Sequence, residues 1–311
     1  TPAGLAITLN YDGNTTPPTL PGRYAVTATI DDPAYAGSAS GTLVITVTAL
    51  VRHAPTLNGD IEGSVQMLLP ENVTFNSGAL ISGDLLVPGT PAIQLNGSPT
   101  YGSTLDQSGA ATPASHRITL NGNAVLSHVV RRVDAIDLPA VSTPQAPSGT
   151  RSVSLNNASQ SPGDFATVRN LTLNSNAGTR TIPPGAYGSF TANGNGFILG
   201  IAGATESSIY HLQSLTLNNG ATVQVVGPVI LRLANSLSVN GGTLGSAANP
   251  SWLSLEIAAG GVTLNSGATL HGHVTAPNGT VNLNSNTTLN GRVAADRLTL
   301  NGNGAVIDPD L

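Results

Sequence analysis

Apolar and polar residues alternate in short bursts along most of this chain, and the bursts repeat. Val262-Thr263-Leu264-Asn265-Ser266-Gly267, Val281-Asn282-Leu283-Asn284-Ser285-Asn286 and Leu298-Thr299-Leu300-Asn301-Gly302 are three copies of one phrase. Its first and third residues fall on one face and Thr or Asn on the other, the period of a half-buried strand. Asn followed by Gly, Ser or Asn then tolerates a left-handed backbone, so the chain bends where the apolar run stops. The phrase returns from about residue 51 onward, as in Leu57-Asn58-Gly59, Leu95-Asn96-Gly97, Leu120-Asn121-Gly122, Leu173-Asn174-Ser175, Leu217-Asn218-Asn219 and Val239-Asn240-Gly241. Copies lie about 17 to 25 residues apart, or twice that, which is a solenoid period. With no helical periodicity, the predicted fold class is all-β: a right-handed parallel β-helix (β-solenoid) of about three short strands per coil. Roughly a dozen coils would stack into a rod about 55 Å long. Aligned Asn side chains would form a ladder, each amide bonding those above and below.

Two stretches break the rhythm. Residues 128–151 carry His128 to Asp137 and then a Pro-rich run through Pro139, Pro144 and Pro147, which reads as a long excursion along the outside of the rod. Residues 177–211, with Ile182-Pro183-Pro184-Gly185, read as a second irregularity. Residues 1–50 differ altogether: Gly22-Arg23-Tyr24-Ala25-Val26-Thr27-Ala28 and Gly41-Thr42-Leu43-Val44-Ile45 read as strands around an Asp32-Pro33-Ala34-Tyr35-Ala36-Gly37 turn. The predicted domains are therefore 1–50, a small β domain, and 51–311, the solenoid.

The Gly-x-Tyr-x-Val-x-Ala strand at 22–28 and the Asp-Pro-x-Tyr-x-Gly turn at 32–37 resemble the MBG type of bacterial immunoglobulin-like repeat. That resemblance implies an incomplete immunoglobulin-like domain, without the strands that normally precede Pro2-Ala3-Gly4-Leu5, and hence an unpaired edge and an uncovered apolar face. Val274-Thr275-Ala276-Pro277-Asn278-Gly279 and Gly291-Arg292-Val293-Ala294-Ala295-Asp296 resemble β-solenoid domains of bacterial surface and pilus-associated proteins, which implies a surface location and polymer- or adhesin-like use.

Composition narrows the function. Of 311 residues only 4% are aromatic and 9% charged, so the core is narrow and built from Leu and Val. The net charge of −5 without a basic cluster argues against nucleic acid. All basic residues are Arg and there is no Cys, which removes lysine Schiff-base chemistry, disulfides and thiolate metal sites. No apolar run approaches the roughly 18 residues of a spanning helix. A chain opening at Thr1 is expected to be a mature or excised piece of something larger.

Candidate chemistry is sparse. His271-Gly272-His273 would place both imidazoles on one outer face about 7 Å apart if Leu270 and Val274 point inward, but no further metal ligand follows from spacing. Arg131, Arg132, Asp134 and Asp137 form a charge cluster that reads as an anchor for the excursion. Among the scattered acids Asp60, Glu62, Asp84, Asp106, Asp164, Glu206, Glu256 and Asp296, only Asp60 and Glu62 share a strand face, without the aromatic neighbours that bind sugar rings or a paired carboxylate across a cleft. Thr216, Thr263 and Thr299 recur at one outward position and could match ice, yet Ser154, Ser238 and Asn282 interrupt them.

No catalytic, cofactor or metal residue is therefore assigned, and an enzyme is not expected. The expectation is an extracellular or cell-surface structural or adhesive module. It would self-associate head to tail, by strand donation into 1–50 or by end-to-end docking, with Asp308-Pro309-Asp310 as a feature that opposes edge pairing. The alternative is a module that binds or degrades carbohydrate, with a surface glycan as partner.

Overall fold

A computed structural model describes the chain except residues 1–5, 19–21, 98–99, 107–115, 123, 133–135 and 310–311. Two architectures follow one another. Strands Ile7–Tyr11, Gly22–Ile30 and Ser38–Ile45 form an antiparallel three-stranded sheet in sequence order. From Ala49 onward every pairing is parallel, in a β-solenoid of about ten turns with three strands to a complete coil. Among the described residues there is no α-helix, only two short 3-10 turns, Phe165–Thr167 and Pro250–Trp252.

Among the described residues Ile7–Tyr11 and Ser38–Ile45 each pair on one side only, and Ile7 is 59% exposed.

The solenoid has three faces, and its stacking order departs from its sequence order. Face B runs from Arg151–Leu155 through Val168–Leu173, Ser189–Asn193, Ser214–Asn218, Leu237–Asn240 and Val262–Asn265 to the distal halves of His273–Leu283 and Val293–Leu300. There the chain is nearly spent, yet the stack continues: Thr299 and Leu300 pair with Thr56 and Leu57. Leu57 pairs in turn with Phe75, Phe75 with Leu95 and Leu95 with Leu120. Faces A and C repeat the junction, with Val293–Ala295 on Ala49–Val51 and Ala305–Ile307 on Asp60–Glu62. The solenoid thus begins in the middle of the rod and builds to one end, where Val125–Arg132 lies between Leu85–Pro88 and Thr100–Asp106, then crosses to the other end and builds back to close on its own first coil. We call the join between coil 293–307 and coil 49–62 the seam.

The crossing is the predicted excursion, with a correction to its start. Residues 128–132 belong to the regular strand Val125–Arg132 rather than to the excursion, because Val129 and Val130 pair with Leu85 and Leu86. The described part of the crossing, the strap, is residues 136–150. Leu138, Val141, Pro144 and Pro147 are less exposed than the residues between them, a period of three that a polyproline II helix shares. Ile136 and Pro139 lie with Leu50, Gln66 and Ala294 on face A around a cleft of about 400 Å³. Further along, the Gln145 N–H donates to His211 Nδ1 at 3.2 Å. The second expected irregularity, 177–211, contains coil strands and, between Leu199 and Ser208, the expected loop toward Tyr210.

Inward Leu and Val make one unbroken core that passes through the seam, where Leu300, Leu57, Phe75 and Leu95 are all 0% exposed. Each such side chain stabilises the fold by about 1.5–3 kcal/mol. Near the Arg151 end the core widens around Tyr187, Phe190 and Phe197, whose rings stack 5.0 and 5.5 Å apart. Burial pushes the Tyr187 hydroxyl up to about 12, and it donates to the Pro183 carbonyl.

Candidate functional site: an uncharged row

Each face B strand sends every second residue outward, and the parallel register sets these residues side by side. In stacking order one outward row reads Ser154, Thr172, Thr191, Thr216, Ser238, Thr263, Asn282, Thr299, Thr56. The register of Leu57 with Phe75 sets Thr56 beside Thr74, and Gln94 and Thr119 follow. Twelve neighbouring positions therefore carry eight Thr, two Ser, one Asn and one Gln, at about 4.8 Å from layer to layer. Sequence order hides part of this row, since Thr299, Thr56 and Thr74 are neighbours only across the seam. The positions read as interruptions, Ser154, Ser238 and Asn282, are themselves small and uncharged.

Beside the row stands the Asn ladder. Asn174, Asn193, Asn218, Asn240, Asn265, Asn284, Asn301, Asn58 and Asn76 each donate Nδ2 to the Oδ1 of the preceding Asn in the stack, beginning at Asn156. All nine bonds point the same way, and the bond from Asn58 to Asn301 crosses the seam at 3.2 Å. Asn174 also donates to Ser154 Oγ at 3.1 Å, tying the ladder to the row.

The other two faces are internal controls. On face C one outward row reads Ile198, Gln224, Gly245, His271, Asn290, Ile307, Glu62, and the other reads Gly196, Thr222, Thr243, Thr269, Thr288, Ala305, Asp60. On face A it reads His211, Arg232, Glu256, Thr275, Ala294, Leu50, Gln66, Leu86, Val130. Thr is favoured in strands generally, and face C has a run of four, but that row ends on Asp60 and its neighbour carries charge and bulk. The face B row is the longer, twelve positions without a charge, although Arg169 and Arg297 stand elsewhere on face B strands.

The remaining candidates do not converge. His271 ends a face C strand and His273 opens a face A strand, with Gly272 at the corner, so the expectation of one shared outer face is overturned. The two imidazoles have separate partners: Asn290 Nδ2 lies 3.1 Å from His271 Nδ1, and the Arg292 N–H donates to His273 Nδ1 at 3.2 Å. Burial lowers the His271 pKa. No group of three or more metal-ligating side chains occurs among the described residues.

Asp60 and Glu62 do share face C as expected, and burial raises the Asp60 carboxyl. Asp134 lies outside the described residues, and Arg131 and Asp137 are exposed. Asp84, Ser127 and His128 meet, but both Ser127 Oγ and Asp84 Oδ1 approach the same ring nitrogen, Nδ1, at 2.9 Å. A nucleophile and an orienting acid need opposite nitrogens, so this arrangement anchors Val125–Arg132 rather than activating the hydroxyl. Arg232 and Glu256 pair at 2.6 Å under the strap, and Asp296 pairs with Arg52 at the seam.

Residues 1–49 match the family model described as the MBG domain. No curated protein matches the chain. Among solved structures, an ice-binding protein from an Antarctic Flavobacteriaceae bacterium is 14% identical, with 85% of this chain and 82% of that chain covered and a TM-score of 0.24. The competence-associated pilin ComZ of Thermus thermophilus is 12% identical, with 92% and 75% covered and a TM-score of 0.29. Neither likeness bears on function at these scores. No helix among the described residues is long and apolar enough to cross a membrane.

Proposed function

We propose that this chain is a non-catalytic extracellular surface module that adheres through face B to an extended, ordered and uncharged surface, with ice as the ligand. The twelve-residue row carries this reading. Its hydroxyls and methyls repeat at one layer spacing, so a ligand with its own lattice meets many equivalent weak contacts at once, and avidity replaces a pocket. The absence of charge from all twelve positions disfavours ionic minerals and charged polymers. Aromatic rings, which would stack on sugars, are absent from the row too. The strap lies on face A, which leaves face B free of it.

The test is partition into slowly growing ice. The protein is expected to enter the ice fraction, and Thr191→Tyr with Thr263→Tyr is expected to abolish entry. Thr243→Tyr, on face C, is expected to leave it unchanged. Exclusion of the unaltered protein from ice would refute the reading, and retention on insoluble polysaccharide instead would favour the carbohydrate alternative.

A further inference from the structure

The seam is the one level of the rod where neighbouring coils are distant in sequence. Its bonds include Arg52 N–H to Ala295 O at 3.1 Å, Asn58 N–H to Leu300 O at 3.1 Å and Val293 N–H to Thr48 O at 2.9 Å. The Asp296 carboxylate accepts from Arg52 and lies 4.0 Å from His53 Nε2. Gly59 fits so closely that an added Cβ would stand 2.1 Å from the Gly304 carbonyl oxygen. Nothing in these contacts requires that both sides belong to one molecule.

We propose that the seam exchanges between copies of this chain: the coils beginning at Ala49 of one molecule close on coil 293–307 of a second, and the reverse. Three observations carry this. An unclosed seam would expose the core side chains Leu57 and Leu300, both 0% exposed when closed, together with two unpaired strand edges, so an open molecule is driven to find a partner. The N-terminal coils are also synthesised before the 151–307 stack on which they close, and they present that edge while the stack forms.

Third, the strap that selects the chain's own partner is barely long enough. It must pass about ten layers, or about 48 Å, and turn from face A onto face B. The nineteen residue steps from Arg132 to Arg151 span at most about 65 Å when fully extended. Little slack remains, so the intramolecular match has a narrow geometric window and a second copy competes as concentration rises. Exchange of this kind is a low-cost route to dimers, and it needs no surface beyond those the single molecule already contains.

The experiment uses the absence of Cys. Thr56 and Thr299 are register partners on neighbouring strands, a spacing a disulfide spans. Full-length chains of different tag length, one carrying Thr56→Cys and the other Thr299→Cys, are unfolded, mixed, refolded over a concentration series and then oxidised. A disulfide between the two chains requires an exchanged seam. The matched control mixes Ser238→Cys with Thr263→Cys, register partners inside the continuous stack.

The expected result is a mixed disulfide that rises with concentration for the seam pair and stays at background for the control. Background yield from the seam pair at every concentration would overturn the proposal, as would equal yields from both pairs. Light scattering on the unaltered protein, refolded over the same series, is expected to show dimers growing with concentration. Only monomers throughout would overturn the proposal independently of any Cys variant.

Discussion

A single Asn in the ladder holds two bonds, and its position decides what its loss costs. Asn218 donates to Asn193 at 3.0 Å and accepts from Asn240 at 2.9 Å. Asn218→Ala removes both and leaves a partly buried donor and acceptor without partners, an expected loss of about 1–3 kcal/mol. Asn156→Ala, at the ladder's end, removes only the bond from Asn174 and should cost less; paired thermal melts check the order. Thr287 is the opposite case. Its side chain is 0% exposed and its Oγ1 has no hydrogen-bond partner, so Thr287→Val, of nearly the same shape, should stabilise the protein by about 1 kcal/mol. An unchanged or lower melting temperature would show that the hydroxyl has a use. Backbone room sets a third residue-level limit: a Cβ at Gly279 would stand 1.4 Å from the Gly260 carbonyl oxygen, so Ala there must displace a coil.

The strap couples the element scale to pH. Its Gln145 N–H donates to His211 Nδ1, which requires that nitrogen to be unprotonated. Burial and the nearby Arg232 lower the His211 pKa, with Glu256 opposing, and burial alone lowers that of His271. A depressed imidazole pKa means the unfolded chain binds more protons, so stability is complete above about 6.5 and falls as pH drops from there toward the folded-state values. His211→Asn keeps an acceptor for Gln145 and removes the proton, so melting temperature across this window should flatten relative to the unaltered chain; an unchanged slope would assign the dependence to His271. Glu71 acts lower. Bonds from Ala54 N–H and His53 hold its carboxyl below its usual range, so their contribution is lost as pH falls below about 4.5. The elements themselves were legible in the sequence because their cause is local: in Val262-Thr263-Leu264-Asn265, alternation sets Val and Leu inward, Thr in the row and Asn in the ladder. His271-Gly272-His273 misled for the same reason, since alternation assumes a straight strand and Gly272 is a corner. The strap was visible as a Pro-rich excursion, but its start was not, because His128-Val129-Val130 is a strand through its pairing with residues 85–86 and 103–105, which no local pattern shows.

At the scale of the whole molecule, the order of the stack was not written in any local pattern. Thr56 stands beside Thr299 only because the chain reaches the far end of the rod before building back, and that detour joins separate Thr positions into one row. The candidate face is thus a product of topology as much as of composition, and the strap makes that topology possible. Its length should therefore be limiting. Removing Ala140, Val141 and Ser142 takes out about 10 Å of reach and leaves sixteen steps, at most about 54 Å when extended, for a path of about 48 Å plus a corner. A molecule so shortened must strain its strap or open its seam. Its melting temperature as a monomer should fall by several degrees, consistent with a loss of about 2 kcal/mol or more. Adding three residues at the same place should cost little, because loop entropy grows slowly with length. Equal effects of shortening and lengthening would show that the strap is slack and that seam contacts alone hold the stacking order. A marked asymmetry would make the strap the element that determines how the rod closes, and with it the continuity of face B.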